Sequence, residues 1–306
     1  MRIAILGASS QIARDLIDSF NQNSDYVCDL FVREKNNAQA WLNSLNNINY
    51  TIKRYDQFST DESYDVLINF VGVGDPAKAK EMGAKIFDVT HYYDTLALDY
   101  IKQHKLCKYI FLSSGAVYGG NFEKPVTKKT VANININQLE PAEWYSVAKL
   151  HAEARHRAMS DYSIVDLRVF NYFSHTQDMS ARFLITDIVR AIMNGEVLKT
   201  SDLNIFRDFI TPADFYQIIQ CVINGKPINR AIDCYTKAPV DKLTMLAELS
   251  ESYGLKYELV AQAGINATGM KTHYYSLNKA CEDTGYVPNL SSMDGIKLEI
   301  QKVLSE

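Results

Sequence analysis

Short apolar segments alternate with helical patterns through the first 170 residues, and this alternation constrains the fold more than any other feature of the sequence. The apolar segments predict six buried strands, Ile3–Leu6, Tyr26–Val32, Tyr50–Tyr55, Val66–Val71, Tyr109–Ser113 and Ile164–Val169. The segments between them predict helices at Gln11–Phe20, Ala38–Leu45, Lys78–His104 and Glu143–Ser160. Continuously apolar strands are typical of a parallel sheet covered by helices on both faces. We therefore predict an α/β fold built on a doubly wound parallel (Rossmann) sheet.

The alternation weakens after residue 170, where turn signals such as Lys226-Pro227 and Ala238-Pro239 gather. We predict a dinucleotide-binding domain over residues 1–170 and a smaller mixed α/β substrate lobe over 171–306. Some segments within about residues 203–236 are expected to rejoin the sheet of the first domain. A chain of 306 residues suits one large α/β unit or two unequal lobes.

Charge and composition exclude several classes of function. The net charge of −4 argues against a nucleic-acid partner, because such proteins usually carry a basic face. The five cysteines contain no CxxC pair, so we predict no metal site. No signal peptide and no apolar stretch of membrane-spanning length is visible, so we expect a cytoplasmic protein without a membrane partner.

The turn after the first strand begins at Gly7 and opens a helix. In dinucleotide folds this turn presents backbone N–H groups and the positive end of the helix to the pyrophosphate. We predict cofactor contacts from Gly7, Ser9, Ser10, Gln11 and Ile12. Ser10 departs from the usual pattern, which has glycine at this position. An ordinary tight turn is the alternative.

The ends of the following strands suggest the remaining cofactor contacts. An acidic residue after the second strand usually selects NAD, whereas arginine suits the 2′-phosphate of NADP. Arg33 occupies this position and is followed by Glu34, so NADP is favoured slightly and NAD stays open. Asp56, after the third strand, is predicted to bind the adenine amino group, and Val71 closes the fourth strand beside the cofactor.

Tyr145 and Lys149 are spaced i, i+4 on a predicted helix and therefore share one face. An ammonium and the positive nicotinamide ring both favour a tyrosinate, which lowers the pKa of the phenol and lets it transfer protons. The sequence contains a second such pair, Tyr275 and Lys279. Only Tyr145 lies on a strong helix between two predicted strands and has a serine, Ser114, at the end of the strand before it.

Ser114 lies where doubly wound sheets bind their ligands, at the carboxyl end of a parallel strand. A hydroxyl there can donate a hydrogen bond to a reacting sugar oxygen. The alternative is a serine-rich strand end that only forms a turn. Together with Tyr145 and Lys149, Ser114 completes a predicted catalytic set.

These segments together resemble the extended short-chain dehydrogenase/reductases, and specifically the NAD-dependent epimerase/dehydratase group that modifies nucleotide sugars. The resemblance runs from Met1 to about residue 290. It includes Leu167–Asn171 and, as its most specific match, Arg207–Asp214. Ser276–Ala280 and Gly285–Pro288 are similar to the family's C-terminal segment, which gives the second Tyr–Lys pair a structural explanation.

The resemblance implies roles for individual residues. Ser114 would orient the substrate oxygen, Tyr145 would be the acid/base, and Lys149 would bind the nicotinamide ribose and tune Tyr145. Asn171 would contact the sugar or its phosphate. Arg207 would bind the diphosphate, with a surface ion pair between Arg207 and its neighbour Asp208 as the alternative. The family also commonly dimerises, so a homodimer is expected.

The family's 4,6-dehydratases follow the active-site hydroxyl with an Asp-Glu pair, but Gly115 and Ala116 stand here. Neither can transfer a proton, so dehydration is disfavoured. The sequence predicts an NAD(P)-dependent nucleotide-sugar ketoreductase or epimerase acting at a sugar carbon, with C4 preferred. A reductase of a small non-nucleotide carbonyl and a non-catalytic dinucleotide sensor are the alternatives.

Overall fold

The computed structural model describes residues 1–21, 25–43, 49–73, 79, 81–261 and 271–305. Its strands are β1 Arg2–Leu6, β2 Val27–Val32, β3 Tyr50–Arg54, β4 Val66–Asn69, β5 Lys108–Ser114, β6 Ile164–Val169, β7 Asn171–Tyr172, β8 Val197–Ser201, β9 Phe206–Arg207, β10 Phe209–Ile210, β11 Asn229–Asp233, β12 Val240–Asp241, β13 Lys256–Val260 and β14 His273–Tyr274. Its helices are α1 Gln11–Asn21, α2 Lys35–Leu42, α3 Lys85–Gln103, α4 Trp144–Arg157, α5 Leu184–Asn194, α6 Pro212–Asn224, α7 Lys242–Tyr253 and α8 Ser292–Ser305.

Seven parallel strands form the central sheet in the order β11-β6-β5-β4-β1-β2-β3. Both faces are covered, because alternate residues of β1 enter different cores. Ile3 and Ile5 pack on the side of α1 and α6, whereas Ala4 and Leu6 pack on the side of α3 and α4. This is the predicted doubly wound α/β fold, and the six predicted strands are confirmed.

Boundaries differ at a few places, and one difference has a clear cause. The fourth strand ends at Asn69 rather than Val71, because the Asn69 side chain accepts a hydrogen bond from the Val71 N–H at 2.9 Å and turns the chain. Residues 79, 81 and 82 are helical, residues 83 and 84 form a turn, and the long helix begins at Lys85; residues 74–78 and 80 lie outside the described residues. Leu45, the predicted end of the second helix, also lies outside them.

Residues after 170 form short sheets and helices around a third core, with one return to the main sheet. Strand β11 pairs with β6. The third core includes Phe173, Ile188, Leu246 and Ile296 from separate elements. Its small sheets are β10-β7, β12-β9-β14 and β13-β8. Within the described part of the chain, no helix combines the length and apolar character needed to cross a membrane.

Candidate active site

Ser114 ends β5 at the carboxyl edge of the sheet, and α4 carries Tyr145 and Lys149 past this edge. The Lys149 side chain is buried, and its Nζ donates a hydrogen bond to the Leu112 carbonyl at 2.7 Å. Its Nζ lies 6.0 Å from the centre of the Tyr145 ring. A Cβ on Gly72, in the loop after β4, would lie 3.2 Å from the same nitrogen. Glycine therefore keeps the space beside the ammonium open.

The Ser114 hydroxyl lies close enough to Tyr145 to affect the pKa of the phenol, and Lys149 lies on the same face of α4, so the structure brings all three predicted catalytic side chains near one another. Burial raises the pKa of Tyr145, and the Ser114 hydroxyl opposes the rise. Burial also lowers the pKa of Lys149 to about 8, against the charges of Asp94, Asp166 and Glu153. The expectation that Lys149 lowers the pKa of Tyr145 is therefore wrong for the protein alone, because desolvation of the phenol dominates.

Tyr274 is a fourth side chain at this edge, and the sequence reasoning missed it. Its hydroxyl lies 3.4 Å from the Ser114 Oγ. Strand β14 brings it there by pairing with β9, which sets Tyr274 opposite Arg207. The pair Tyr275 and Lys279, which begins one residue after Tyr274, was the sequence feature that could have drawn attention to it. Lys279 is exposed and lies 3.8 Å from Glu282, as expected for a structural rather than a catalytic pair.

Two cations, Arg207 and Lys271, lie against the Tyr274 ring at 5.9 and 5.0 Å from its centre. Arg207 donates hydrogen bonds to the carbonyls of Phe206 and Lys271, both at 2.8 Å. Burial lowers the pKa of Arg207 to about 10, and burial together with the Arg207 charge lowers the pKa of Lys271. Among the described residues neither cation has a carboxylate partner, so an anion at this place would be stabilised by both.

Asp208 does not pair with Arg207, so the alternative of a surface ion pair is wrong. The Asp208 carboxylate is 3% exposed and accepts hydrogen bonds from the Thr236 N–H and hydroxyl. Burial, opposed by these two hydrogen bonds, raises the pKa of Asp208 to about 6. Asn171 lies nearby, and its Nδ2 donates to the carbonyls of Tyr274 and Asp208 at 3.1 and 3.3 Å. The Asn171 amide thus links β7 to β14 and to the residue that connects β9 with β10.

The turn after β1 has the close backbone approach that a pyrophosphate site needs. Gly7 adopts a φ of 77°, and a Cβ there would lie 2.9 Å from the backbone of Phe70 and Val71. The Ser10 Oγ is buried and has no hydrogen-bond partner among the described residues. An unpartnered hydroxyl beside the N-terminus of α1 fits a phosphate oxygen, which would accept its proton. The residues present therefore fit a dinucleotide.

The remaining predicted cofactor residues lie around this turn. Ser9 is exposed and Ile12 is half-buried, while Gln11 donates a hydrogen bond from α1 to the Thr176 hydroxyl, which lies after β7. Val71 is half-buried directly after the turn at Asn69. The backbone N–H of Gly7 donates to the Tyr55 hydroxyl at 2.9 Å, which links the turn to the end of β3.

A pocket lies at the carboxyl ends of β2 and β3, and it contains both Arg33 and Asp56. Its lining residues are Val32, Arg33, Glu34, Arg54, Tyr55 and Asp56. Asp56 is exposed, and its carboxylate lies 3.5 Å from the Arg54 guanidinium. Arg54 was missed by the sequence reasoning because the parallel pairing of β2 with β3, which aligns Val32 with Arg54, joins residues that are distant in sequence.

A sequence model described as "NAD dependent epimerase/dehydratase family" matches residues 3–233. The chain belongs to this family. The match covers the central sheet, the turn at Gly7, the set at Ser114, Tyr145 and Lys149, and Arg207. A search of curated proteins finds no match to the sequence.

Solved structures of similar fold include enzymes that act on nucleotide sugars. UDP-glucuronic acid 4-epimerase from Bacillus cereus, in complex with NAD, is 18% identical over 100% of this chain and 99% of its own, with a TM-score of 0.78. UDP-N-acetylglucosamine 4-epimerase from Methanobrevibacter ruminantium is 18% identical over 99% and 98%, with a TM-score of 0.80. dTDP-glucose 4,6-dehydratase from Bacillus anthracis, also with NAD, is 16% identical over 100% and 97%, with a TM-score of 0.79. At these identities the likeness shows the epimerase/dehydratase family's fold.

Proposed function

We propose that this member of the family is an NAD(P)-dependent nucleotide-sugar ketoreductase or epimerase that acts at C4 of the sugar. The observation that carries the proposal is the convergence of Ser114, Tyr145 and Lys149 at the carboxyl edge of β5. The dinucleotide-binding turn at Gly7 lies on the same edge of the sheet, two strands away. The 4-epimerases among the structures of similar fold support the choice of carbon.

The proposed mechanism needs one proton carrier and one group that orients the substrate. The turn at Gly7 and Lys149 would hold the cofactor, and a bound nicotinamide would supply hydride transfer to or from the sugar carbon. Tyr145 transfers the proton at the sugar oxygen, and Ser114 donates a hydrogen bond to that oxygen. The Leu112 carbonyl and the Phe111 ring hold the Lys149 ammonium, 6.0 Å from the centre of the Tyr145 ring. The positive charge of a bound nicotinamide would add to the Ser114 hydroxyl in opposing the burial that raises the pKa of the phenol.

Packing around Gly115 supports a reaction without elimination of water. A Cβ on Gly115 would lie 2.3 to 2.7 Å from three carbons of the Phe170 ring. A carboxylate at this position therefore has no room unless Phe170 moves. Ala116, the next residue, has no acidic group either. Dehydration by this chain is therefore disfavoured, although a dehydratase has a similar fold.

The two cations beside Tyr274 favour a nucleotide diphosphate over a small carbonyl compound. A guanidinium binds phosphate oxygens through paired hydrogen bonds. We expect Arg207→Gln to raise the KM for a nucleotide sugar about 10- to 100-fold with little change in kcat, because hydrogen bonds to charged groups contribute about 1.5–3 kcal/mol. Steady-state kinetics checks this, with Arg230→Gln, a surface arginine paired with Asp283, as the control. An unchanged KM would favour the small-carbonyl alternative.

Cofactor choice depends on the pocket at the ends of β2 and β3, where Arg33 and Arg54 support NADP over NAD. We expect Arg33→Ala to raise the KM for NADPH about tenfold while leaving the KM for NADH within about twofold, since only NADPH carries the 2′-phosphate. The control is Lys35→Ala, because Lys35 does not line this pocket. Equal effects on both cofactors would contradict a phosphate contact.

The decisive experiment identifies the cofactor and the reaction together. Nucleotide released from the purified protein by denaturation is analysed first, and tightly held NAD favours the epimerase. Turnover is then measured with UDP-glucose, UDP-N-acetylglucosamine, UDP-glucuronic acid and 4-keto nucleotide sugars, with NADH or NADPH supplied. Reduction of a keto sugar with NADPH favours the reductase. No turnover across this panel would support the sensor alternative and contradict the proposal. The homodimer stays a prediction.

A further inference from the structure

Tyr274 is a buried phenol that no part of the proposed mechanism uses. Its ring packs at 4.7 Å from the Phe122 ring centre and 5.2 Å from that of Phe170. These contacts hold the ring between two apolar side chains, so its hydroxyl has a defined position. That hydroxyl lies 3.4 Å from Ser114 Oγ, on the edge that carries Tyr145. The burial of the ring raises the pKa of Tyr274, so the group remains a protonated phenol.

The hydrogen bonds available to Ser114 indicate a role for Tyr274. A serine hydroxyl has one proton to donate and two lone pairs to accept with. One lone pair accepts from the Ala116 N–H at 3.2 Å. A protonated Tyr274 can donate to the second lone pair. With both lone pairs used, the Ser114 proton is left for a third partner, which is the Tyr145 oxygen in the protein alone and the sugar oxygen in the proposed complex.

We propose that Tyr274 is a positioning residue that makes Ser114 a hydrogen-bond donor toward the reacting sugar oxygen. The inference rests on the proposed function, since it concerns the same site. A ketone oxygen can only accept hydrogen bonds, so a serine held as a donor matches it better than one free to rotate. Tyr274 therefore acts through Ser114 and adds a second phenol to the Ser114, Tyr145 and Lys149 set.

The test is a double-mutant cycle on the full chain with the panel substrate that the wild type converts fastest. Tyr274→Phe removes only the hydroxyl and keeps the packing against Phe122 and Phe170. We expect it to lower kcat about five- to tenfold with KM within about twofold, the effect of one neutral hydrogen bond. In the Ser114→Ala background the same substitution should have no further effect, because the group it positions is gone. The matched control is Tyr275→Phe, which should leave kcat unchanged.

The outcomes separate this inference from the proposed function. A Ser114→Ala variant with full turnover would overturn both. If Ser114→Ala slows turnover but Tyr274→Phe does not, the positioning role is wrong and the proposed function stands. A loss on Tyr274→Phe that is equally large in the Ser114→Ala background, or that falls on KM alone, also overturns the positioning role. Thermal unfolding within a few degrees of wild type verifies that each variant is folded.

Discussion

Replacing Tyr145 by phenylalanine is expected to lower kcat about 10²- to 10⁴-fold, the usual cost of losing a positioned acid/base. The substitution removes only the phenol oxygen, which contacts Ser114, and leaves the ring beside Lys149. KM should change little, because the diphosphate contacts assigned to Arg207 and Lys271 remain. Steady-state rates on the nucleotide-sugar panel provide the measurement.

Two controls make the Tyr145 result interpretable. Tyr162→Phe alters a half-buried tyrosine packed against the core behind α4, and it should keep wild-type kcat. Binding of NADH to Tyr145→Phe, followed by fluorescence, should be close to that of wild type, because the pyrophosphate turn at Gly7 is intact. Near-normal turnover by Tyr145→Phe would refute the assigned acid/base.

The second large effect is expected in stability, at the fully buried His156 on α4. Its Nδ1 lies 2.5 Å from Asp166 and its Nε2 lies 2.7 Å from Asp94. Arg157 and Arg155 bind the outer oxygens of the same carboxylates at 2.8 and 2.7 Å. His156→Gln leaves the buried carboxylates without their central cation. We expect the free energy of unfolding to fall by about 3–5 kcal/mol at pH 7, measured by urea denaturation. His151→Gln, an exposed histidine on the same helix, should change it by less than about 0.5 kcal/mol.

The same network gives His156 a characteristic pH dependence. Burial favours neutral imidazole, but Asp166 and Asp94 outweigh it and raise the pKa of His156 to about 9. A raised pKa stabilises the folded state fully below the unfolded pKa of about 6.5, and the contribution disappears as the pH rises through about 9. The unfolding free energy should fall by about 3 kcal/mol across this window in wild type. The His156→Gln variant should lack this component.

The pH profile of wild type must be compared with that of His156→Gln, because Lys149 also titrates within this pH range. Burial lowers its pKa to about 8, so the folded state excludes its proton more readily than the unfolded state does. Its contribution therefore rises with pH between about 8 and 10.4, opposite in sign to that of His156. The Lys149 contribution is largely shared by both proteins and cancels in the difference between their pH profiles. Parallel profiles for the two proteins would contradict a protonated His156.

Local sequence patterns predicted the sheet and the convergence of Ser114, Tyr145 and Lys149, because both depend on short-range features. Continuous apolar runs marked β1, β5 and β6, and the i, i+4 spacing put Tyr145 and Lys149 on one face of α4. Ser114 was found because a parallel strand fixes where its carboxyl end lies.

Tyr274, Lys271 and Arg54 were missed because long-range pairing places them. Strand β14 reaches Arg207 only through its register with β9, and Arg54 reaches the Arg33 pocket only through the pairing of β3 with β2. For the protein alone, the expected direction of the Tyr145 pKa shift was also wrong. Burial decides it, and spacing along a helix carries no information about burial.

The contact between Gly115 and Phe170 has an evolutionary consequence. An aspartate introduced alone at position 115 would collide with the aromatic ring, so a single substitution there damages the fold before it can offer new chemistry. A lineage acquiring an acid at this position would first have to shorten the side chain at 170, a change without benefit by itself. Packing thus adds a coupled change at position 170 to the two substitutions, at 115 and 116, that an Asp-Glu pair would require.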